Sequence, residues 1–397
     1  MKIAILGGGV AGISSAIALT QKGFEVEVYE RHATLSTIGA GIVVWPNAAF
    51  ILDQLGVLRE IETMSGQPKR MLRLTNKNEY LGAIDIAQIN QQMGYASFSI
   101  LRNDLQTILQ SKLNQLGIVV HYDHEVSSIK TNEAKQAQVE FINGCKISPD
   151  IVIGADGRMN SHVRQYVHQN NAAVYQGFIN WIGVYKTEKK YFHSNEIKDY
   201  WGVGERFGIV PIDSNRAYWA GAVACDHIGE RNLGEYKEEL SELFSTWPDP
   251  VQEMINRTPM QHINKIYVHD HSPIRTWHKD NLIIIGDAAH APLPTSGQGA
   301  CQALEDAWYL ANCLESNPSN LHQAFSDFTN GRFEKTKNII NAARGFAASL
   351  FNRDESFCEK RDENSRRNDY AALASAMANA WSQGLPLPIK HNAQIGL

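Results

Sequence analysis

Gly7, Gly9 and Gly12 stand at G-x-G-x-x-G spacing, and Glu30 closes the alternating stretch that follows. Glycines so spaced suit the binding of a pyrophosphate. The first makes a tight turn, the second lets phosphates approach the backbone, and the third lets a helix pack against a strand. An acid at the place of Glu30 can accept hydrogen bonds from a ribose. A second group is Asp156-Gly157, with Ser161 and Arg164 one helical turn apart beyond it. Taken alone, an Asp-Gly pair after a strand is a common turn. A third group is Gly286-Asp287 with His290, followed by Pro292, Pro294, Gly297, Gln298, Gly299 and a helix opening near Ala300. Backbone N–H groups at a helix start favour something electron-rich.

These residues need elements to hold them. Lys2 to Leu6 is apolar and β-branched and predicts a buried parallel strand. A helix carrying Ile13, Ala16, Ile17 and Leu19 runs to Gly23, and Phe24, Val26 and Val28 then alternate toward Glu30. That order makes the glycine motif a dinucleotide-binding unit, without separating FAD from NAD. Apolar strands are also expected before Gly154 and Gly286. Asn76-Lys77-Asn78 divides a hairpin of Met71–Leu74 and Tyr80–Ile84. Ile38 to Gly41 reads as a glycine-rich loop, leading to a short strand and a helix with Pro46 in its first turn. Asn103 is expected to cap a helix opening at residues 102–105. From Ala173 to about Asp270 the segments lengthen and alternate, as in an antiparallel sheet with one face covered. Its aromatic residues (Trp181, Tyr185, Trp201, Trp219) read mainly as core. After Asn352 one more helix is expected near Tyr370–Trp381, then a mobile tail.

The fold class expected is α/β: a Rossmann-like sheet with an inserted antiparallel sheet and a C-terminal helical segment. The expected divisions are residues 1–70, 98–172 and 271–350 for the dinucleotide-binding part, 71–97 for a substrate-side hairpin, 173–270 for a substrate sheet, and 351–397 for the C-terminal helix and tail. Length supports more than one domain. A net charge of −5 and no dense Lys/Arg block exclude a nucleic-acid surface. No stretch has the apolar length of a membrane helix. The N-terminus superficially resembles a signal peptide, but cleavage would remove the phosphate loop, so a cytoplasmic protein is expected. Five cysteines without ligand spacing read as reduced thiols, and His269 and His271 as a solvated strand end; no metal is expected.

The three groups in this order resemble the single-component flavin-dependent aromatic hydroxylases, which include p-hydroxybenzoate, salicylate and urate hydroxylases. Gly7 to Gly12 matches that family's FAD motif, Gly154-Ala155-Asp156-Gly157 its D-G motif, and Gly286-Asp287 its G-D motif, whose aspartate binds FAD ribose. The resemblance covers residues 1 to about 350. It implies Arg102 near the pyrophosphate, Val126 on the adenine side, and Arg31 and Val43 as further FAD contacts. It places the loop through Gly297, Gln298, Gly299 and Ala300 against the flavin.

Ile42 to Asn47 and Gly177 to Trp181 are similar to the urate-hydroxylating members, and Asn180, Arg206 and Tyr218 fall at urate-contacting positions. The chemistry implied is reduction of FAD by NADH or NADPH, reaction with molecular oxygen, and transfer of OH from a flavin hydroperoxide to a small aromatic or purine ring, best urate. No second glycine motif is present, which fits a transiently docked nicotinamide. Arg206 reads as a partner for an anionic substrate or as a surface salt bridge. Tyr218 reads as a residue that orients the ring by its hydroxyl or tunes the substrate's ionisation, or as core; Arg206 and Tyr218 are the catalytic candidates, and His290 reads as loop packing. Salicylate-, hydroxybenzoate- or hydroxynicotinate-type hydroxylases and tetracycline-inactivating monooxygenases are the alternatives within the family. A dehydrogenase would leave the D-G and G-D motifs unexplained, and a halogenase should carry W-x-W-x-I-P, which Trp201-Gly202-Val203-Gly204 does not reproduce. A non-catalytic flavin sensor would show no substrate-stimulated oxygen use. A monomer or a homodimer is expected.

Overall fold

The computed structural model describes residues 1–34, 40–134 and 136–387. Ile38 and Gly39 of the expected loop, and the end of the expected tail, lie outside the described residues.

Lys2–Leu6 is the middle of a parallel sheet because its residues are apolar toward both faces; Ile3, Ile5 and Leu6 are buried. Ile151–Gly154 and Leu282–Ile284 join on one side, and Glu25–Tyr29 and Val120–His121 on the other. His278–Lys279 adds an antiparallel edge. Leu6 lies in register with both Gly154 and Tyr29, and Gly154 with Ile284. The carboxyl ends of four strands therefore coincide, and the segments that leave them start with Gly7, Glu30, Ala155 and Ile285. Groups far apart in sequence meet at the end of a parallel sheet where ligands bind. Helices Val10–Gln21 and Gly299–Ser316 pack together over this sheet.

Two glycines here are steric necessities. Gly7 has φ +115°, and a side chain on it would strike the Ala155 carbonyl. A side chain on Gly12 would strike the Gly7 carbonyl.

The second sheet has seven strands in the spatial order Ile263–Asp270, Val174–Lys186, Arg216–Ala224, Glu205–Pro211, Glu196–Trp201, Arg70–Thr75, Tyr80–Asp85. The expected hairpin is present, and it forms an edge of this sheet by pairing in parallel with Glu196–Trp201. With period-two alternation, Trp181, Tyr185, Tyr200, Phe207 and Trp219 point to one face. There they are buried with residues of helices Tyr236–Leu243 and Asp249–Arg257. The aromatic residues are core, as read. The opposite face carries Phe178 and Ala222, which pack against Leu293 of the loop after Asp287 and Ala343 of the long helix Leu321–Leu350.

Three local expectations are corrected. Asn103 is not the cap: strand Phe98–Leu101 runs straight into helix Arg102–Gln115, so Leu101 takes the N-cap position and Asn103 lies inside the helix. Helix Ile86–Met93 was not anticipated, although Asp85 caps it by accepting from the Gln88 N–H and Gly94, at φ +77°, ends it. The chain after Leu350 forms two docked helices, Glu355–Arg366 and Tyr370–Ser382, where one was expected. Cys358, Arg361 and Trp381 are buried, so the segment through residue 387 is part of the packed structure.

Candidate active site: a dinucleotide cradle and a polar sheet face

A cavity of ≈ 280 Å³ opens at the carboxyl ends of the parallel strands, lined by Gly7, Gly9, Glu30, Arg31, Arg102, Val126 and Asp156 among others. Its features fit a diphosphate. Gly9 is in extended backbone (φ −77°, ψ −173°) that any residue can adopt, and a side chain on it would meet no atom of the described residues within 4 Å. Gly9 lines the cavity and is the N-cap of helix Val10–Gln21 with no side-chain cap, so the first-turn N–H groups have no acceptor among the described residues. The Arg102 guanidinium lines the cavity and has no hydrogen-bond partner among the described residues. Burial lowers its pKa, the charge of Asp287 opposes that, and Arg158 adds to it.

Glu30 is pinned at the rim. Its Oε2 accepts from the Gly8 N–H at 2.7 Å and its Oε1 from the His32 N–H at 3.0 Å. Each carboxylate oxygen keeps capacity for a further hydroxyl donor. Gln106 was missed by the sequence reading. Its Nε2 donates to the Gly8 carbonyl at 2.7 Å and so holds the glycine turn. Its position four residues after Arg102, on the same helix face, was the available signal.

Asp156 borders the cavity, but its carboxylate is committed elsewhere. Ser161 Oγ donates to it at 2.5 Å, and the Val163 N–H at 3.3 Å. Burial raises its pKa, and the Ser161 hydrogen bond acts against that. Ser161 also caps helix His162–His168 by accepting from the Arg164 N–H at 2.9 Å. Arg164 then donates to the Ala288 carbonyl at 2.8 Å, which ties the second group to the third. Burial pushes the Arg164 guanidinium down to about 10. Asp287 lies 3.7 Å from Arg158 Nε, a second cation that the sequence reading did not single out.

The loop after Asp287 is built rigidly. Gly297 (φ +61°) ends a 3₁₀ turn, and its carbonyl accepts from Trp45 Nε1 at 3.0 Å. The Gly297 N–H donates to the Pro294 carbonyl at 3.1 Å and the Gln298 N–H to Ser296 Oγ at 3.1 Å. The Gln298 side chain turns inward, where its Oε1 accepts from Asn47 and Gln302, each at 3.0 Å. Of the four loop positions anticipated, Gly299 and Ala300 therefore present the N–H groups without an acceptor among the described residues, at the first turn of an 18-residue helix.

Behind the loop, Glu305 binds Lys335 at 2.8 Å and Arg332, and Asp306 accepts from Arg332 Nε at 2.8 Å and from the Gly286 N–H at 2.8 Å. His290 is buried against Asp306 at 2.5 Å, which is the packing role read from the sequence. Burial alone would raise the Asp306 pKa; the charges of His290 and Arg332 bring it below the usual carboxylate range. Val43 sits in strand Gly41–Val44, paired with Ser99, and its carbonyl faces Cys301 Sγ at 3.6 Å.

Asn180, Ala222 and Arg206 occupy one row across three neighbouring strands, and Tyr218 lies four residues from Ala222. All three anticipated substrate residues thus share one sheet face, the face that meets the Leu293 loop. The Tyr218 ring packs so closely on Gly41 that a side chain there would overlap it. Burial, with a smaller contribution from Cys301, raises the Tyr218 phenol far above its ordinary value, so it stays protonated. The Tyr218 hydroxyl and the Asn180 amide make no hydrogen bond to the described residues. Arg206 is not a surface salt bridge. Its Nε donates to Asp199 Oδ1 at 2.6 Å, with the Arg206 side chain 23% and that of Asp199 2% exposed. Both Nη groups remain for another acceptor.

The geometry therefore brings together a nucleotide cradle, N–H groups without an acceptor among the described residues, and a sheet face carrying Asn180, Arg206 and Tyr218. Among the described residues no group of three or more potential metal ligands occurs, and no helix is long and apolar enough to cross a membrane.

Residues 1–320 match the family model described as FAD binding domain. The chain is 30% identical over 348 residues to the FAD-dependent urate hydroxylase of Mycolicibacterium vanbaalenii, covering 87% of each. It is 29% identical to the aurachin C monooxygenase/isomerase of Stigmatella aurantiaca, covering 86% of this chain and 87% of that one. Among solved structures it is similar to Klebsiella pneumoniae HpxO complexed with FAD and uric acid, at TM-score 0.89 and 25% identity over 97% of both chains.

Proposed function

We propose, since this chain belongs to the FAD-dependent aromatic hydroxylases, that it is an NAD(P)H-dependent monooxygenase for an anionic heteroaromatic ring, and that the ring is urate, converted to 5-hydroxyisourate. The observation that carries the substrate class is Arg206: a guanidinium held through Nε, with both Nη groups unpaired among the described residues, on the sheet face that also carries Asn180 and Tyr218. Solved HpxO holding FAD and uric acid in the same fold supports urate in particular.

Bound FAD supplies the activation of oxygen, using electrons from NADH or NADPH. This chain's residues do the rest. The Gly7–Gly12 turn and Arg102 hold the diphosphate, Glu30 and Asp287 hold ribose hydroxyls, and Val126 borders the adenine. The Gly299 and Ala300 N–H groups, reinforced by the dipole of their helix, balance negative charge on the ring system lying against them. Arg206 pairs with the substrate anion without titrating. Asn180 orients the ring by amide hydrogen bonds. Tyr218, held neutral by burial, donates its O–H to a substrate oxygen and is not a base.

Two outcomes test these roles. Asp287→Ala weakens FAD binding by about 1–3 kcal/mol, the worth of charge-assisted hydrogen bonds to a hydroxyl; a flavin titration reads it, and an unchanged Kd removes Asp287 from the site. Tyr218→Phe lowers kcat/KM for urate roughly tenfold, with the alkaline limb of the pH profile unmoved. Loss of that limb in the variant would show that the phenol titrates during turnover.

One relative, the 6-hydroxynicotinate 3-monooxygenase of Pseudomonas fluorescens, is 27% identical over 367 residues. A ring of that type would use Arg206 in the same way. Substrate-dependent NAD(P)H oxidation with urate, salicylate, hydroxybenzoates, hydroxynicotinate and tetracycline decides between them: a response to urate alone supports the proposal, and a response only to another ring replaces it.

A further inference from the structure

Arg206 does not find its position unaided. Asp199 stands on the neighbouring strand in register with Gly208, and Arg206 in register with Trp201. All three side chains of Asp199, Trp201 and Arg206 therefore project to the same face. Gly208 presents no side chain opposite Asp199, so Arg206 can reach diagonally across to it. The Asp199 carboxylate is 2% exposed and uses one oxygen for each neighbour: Oδ1 accepts from Arg206 Nε at 2.6 Å and Oδ2 from Trp201 Nε1 at 2.9 Å.

A second cation is equally placed by the sheet, since Arg73 lies in register with Asp199 on its other side. Arg73 makes no ion pair with it. Its guanidinium stacks on Trp201 at 5.0 Å, and Arg361 of helix Glu355–Arg366 stacks on the same ring at 5.3 Å. Arg361 is also anchored to the Gly202 carbonyl at 3.1 Å. Trp201 is thus fixed by two guanidinium groups, it fixes Asp199, and Asp199 turns toward Arg206.

We propose that Asp199, seated by Trp201, is the positioning residue that presents the two Nη groups of Arg206 to the substrate anion. The inference rests on the reading of Arg206 given above. A guanidinium recognises a planar anion through a fixed pair of parallel N–H bonds, so its orientation decides how much of its charge is used. Nε is the one donor that can be tied off while leaving an Nη edge intact. Helix Glu355–Arg366 takes part through Arg361, which holds Trp201 in place.

Two variants separate this from general packing. Trp201→Phe keeps a flat ring for Arg73 and Arg361 to stack on and deletes the N–H donor to Asp199. Asp199→Asn keeps the shape and sets an amide N–H₂ or a neutral oxygen against Arg206. Each is expected to raise KM for urate roughly five- to twentyfold and to raise the hydrogen peroxide released per NADH consumed, with FAD content unchanged. In an Arg206→Met background neither change costs more than about a further twofold, because the group it positions is gone, and Asp199→Asn there recovers activity by removing the unpaired carboxylate charge. The proposal is overturned by urate KM values within about twofold of the parent in both variants, or by losses of the same size with and without Arg206. Should Asp199→Asn fail to fold, Trp201→Phe carries the test alone. Full urate activity in Arg206→Met would overturn the substrate reading itself; impaired Arg206→Met with unaffected Trp201→Phe and Asp199→Asn overturns only the positioning role.

Discussion

Gly9→Val gives a folded protein that takes up no FAD. The local backbone is extended and a side chain there meets no atom of the described residues within 4 Å, so the folded chain accommodates the change. The N-cap supplies no side-chain hydrogen bond to lose, and the stability cost is about 1 kcal/mol or less. The branched side chain instead fills the space above the first helical turn, where a diphosphate must approach the N–H groups. Affinity falls by roughly a thousandfold or more, about 4 kcal/mol. Gly12→Val is the contrast: a side chain there strikes the Gly7 carbonyl, so folding itself is lost. Thermal melting and flavin fluorescence titration read both. Parent-like FAD affinity in Gly9→Val would place the diphosphate elsewhere.

Arg206→Met abolishes most activity on an anionic ring while leaving FAD content intact. Methionine keeps the length and apolar bulk that lie beside Phe346, 5.7 Å from the guanidinium carbon. It removes the charge facing the substrate and leaves the nearly buried Asp199 without its ion-pair partner. Loss of a partly desolvated charge pair costs about 2–4 kcal/mol, a roughly thirty- to thousandfold drop in kcat/KM. The uncompensated Asp199 adds repulsion toward an anion and holds the effect at the upper end of that range. Steady-state urate-dependent NADH oxidation with peroxide measured beside it is the assay. Parent-like kcat/KM and coupling would remove Arg206 from the site.

The nucleotide side was legible because its chemistry is local. Gly7, Gly9, Gly12 and Glu30 lie in one strand–turn–helix–strand unit, where spacing fixes geometry. The meeting of Asp156, Asp287 and that unit was legible once each was seen to follow an apolar strand, since parallel strands share an end. The sheet face was legible only in part. Resemblance singled out Asn180, Arg206 and Tyr218, but nothing in linear order shows Asp199 beside Arg206, or Arg73 and Arg361 both stacked on Trp201. Those contacts depend on cross-strand register and on a helix more than 150 positions later in the chain. Gln298 shows the same limit in reverse: its loop position was read correctly, but its inward turn toward Asn47 and Gln302 follows from the buried network around Glu305. Helix Glu355–Arg366 was missed because its few buried residues, Cys358, Arg361 and Ser365, are not an apolar stripe.

The most direct test of the account is turnover of the FAD-loaded protein with urate and NAD(P)H under ¹⁸O₂, with the product analysed by mass. Urate stimulates oxidation of the nicotinamide, and the expected product has gained one oxygen atom, labelled from O₂. Nicotinamide oxidation that yields only hydrogen peroxide, with urate unchanged, would contradict it.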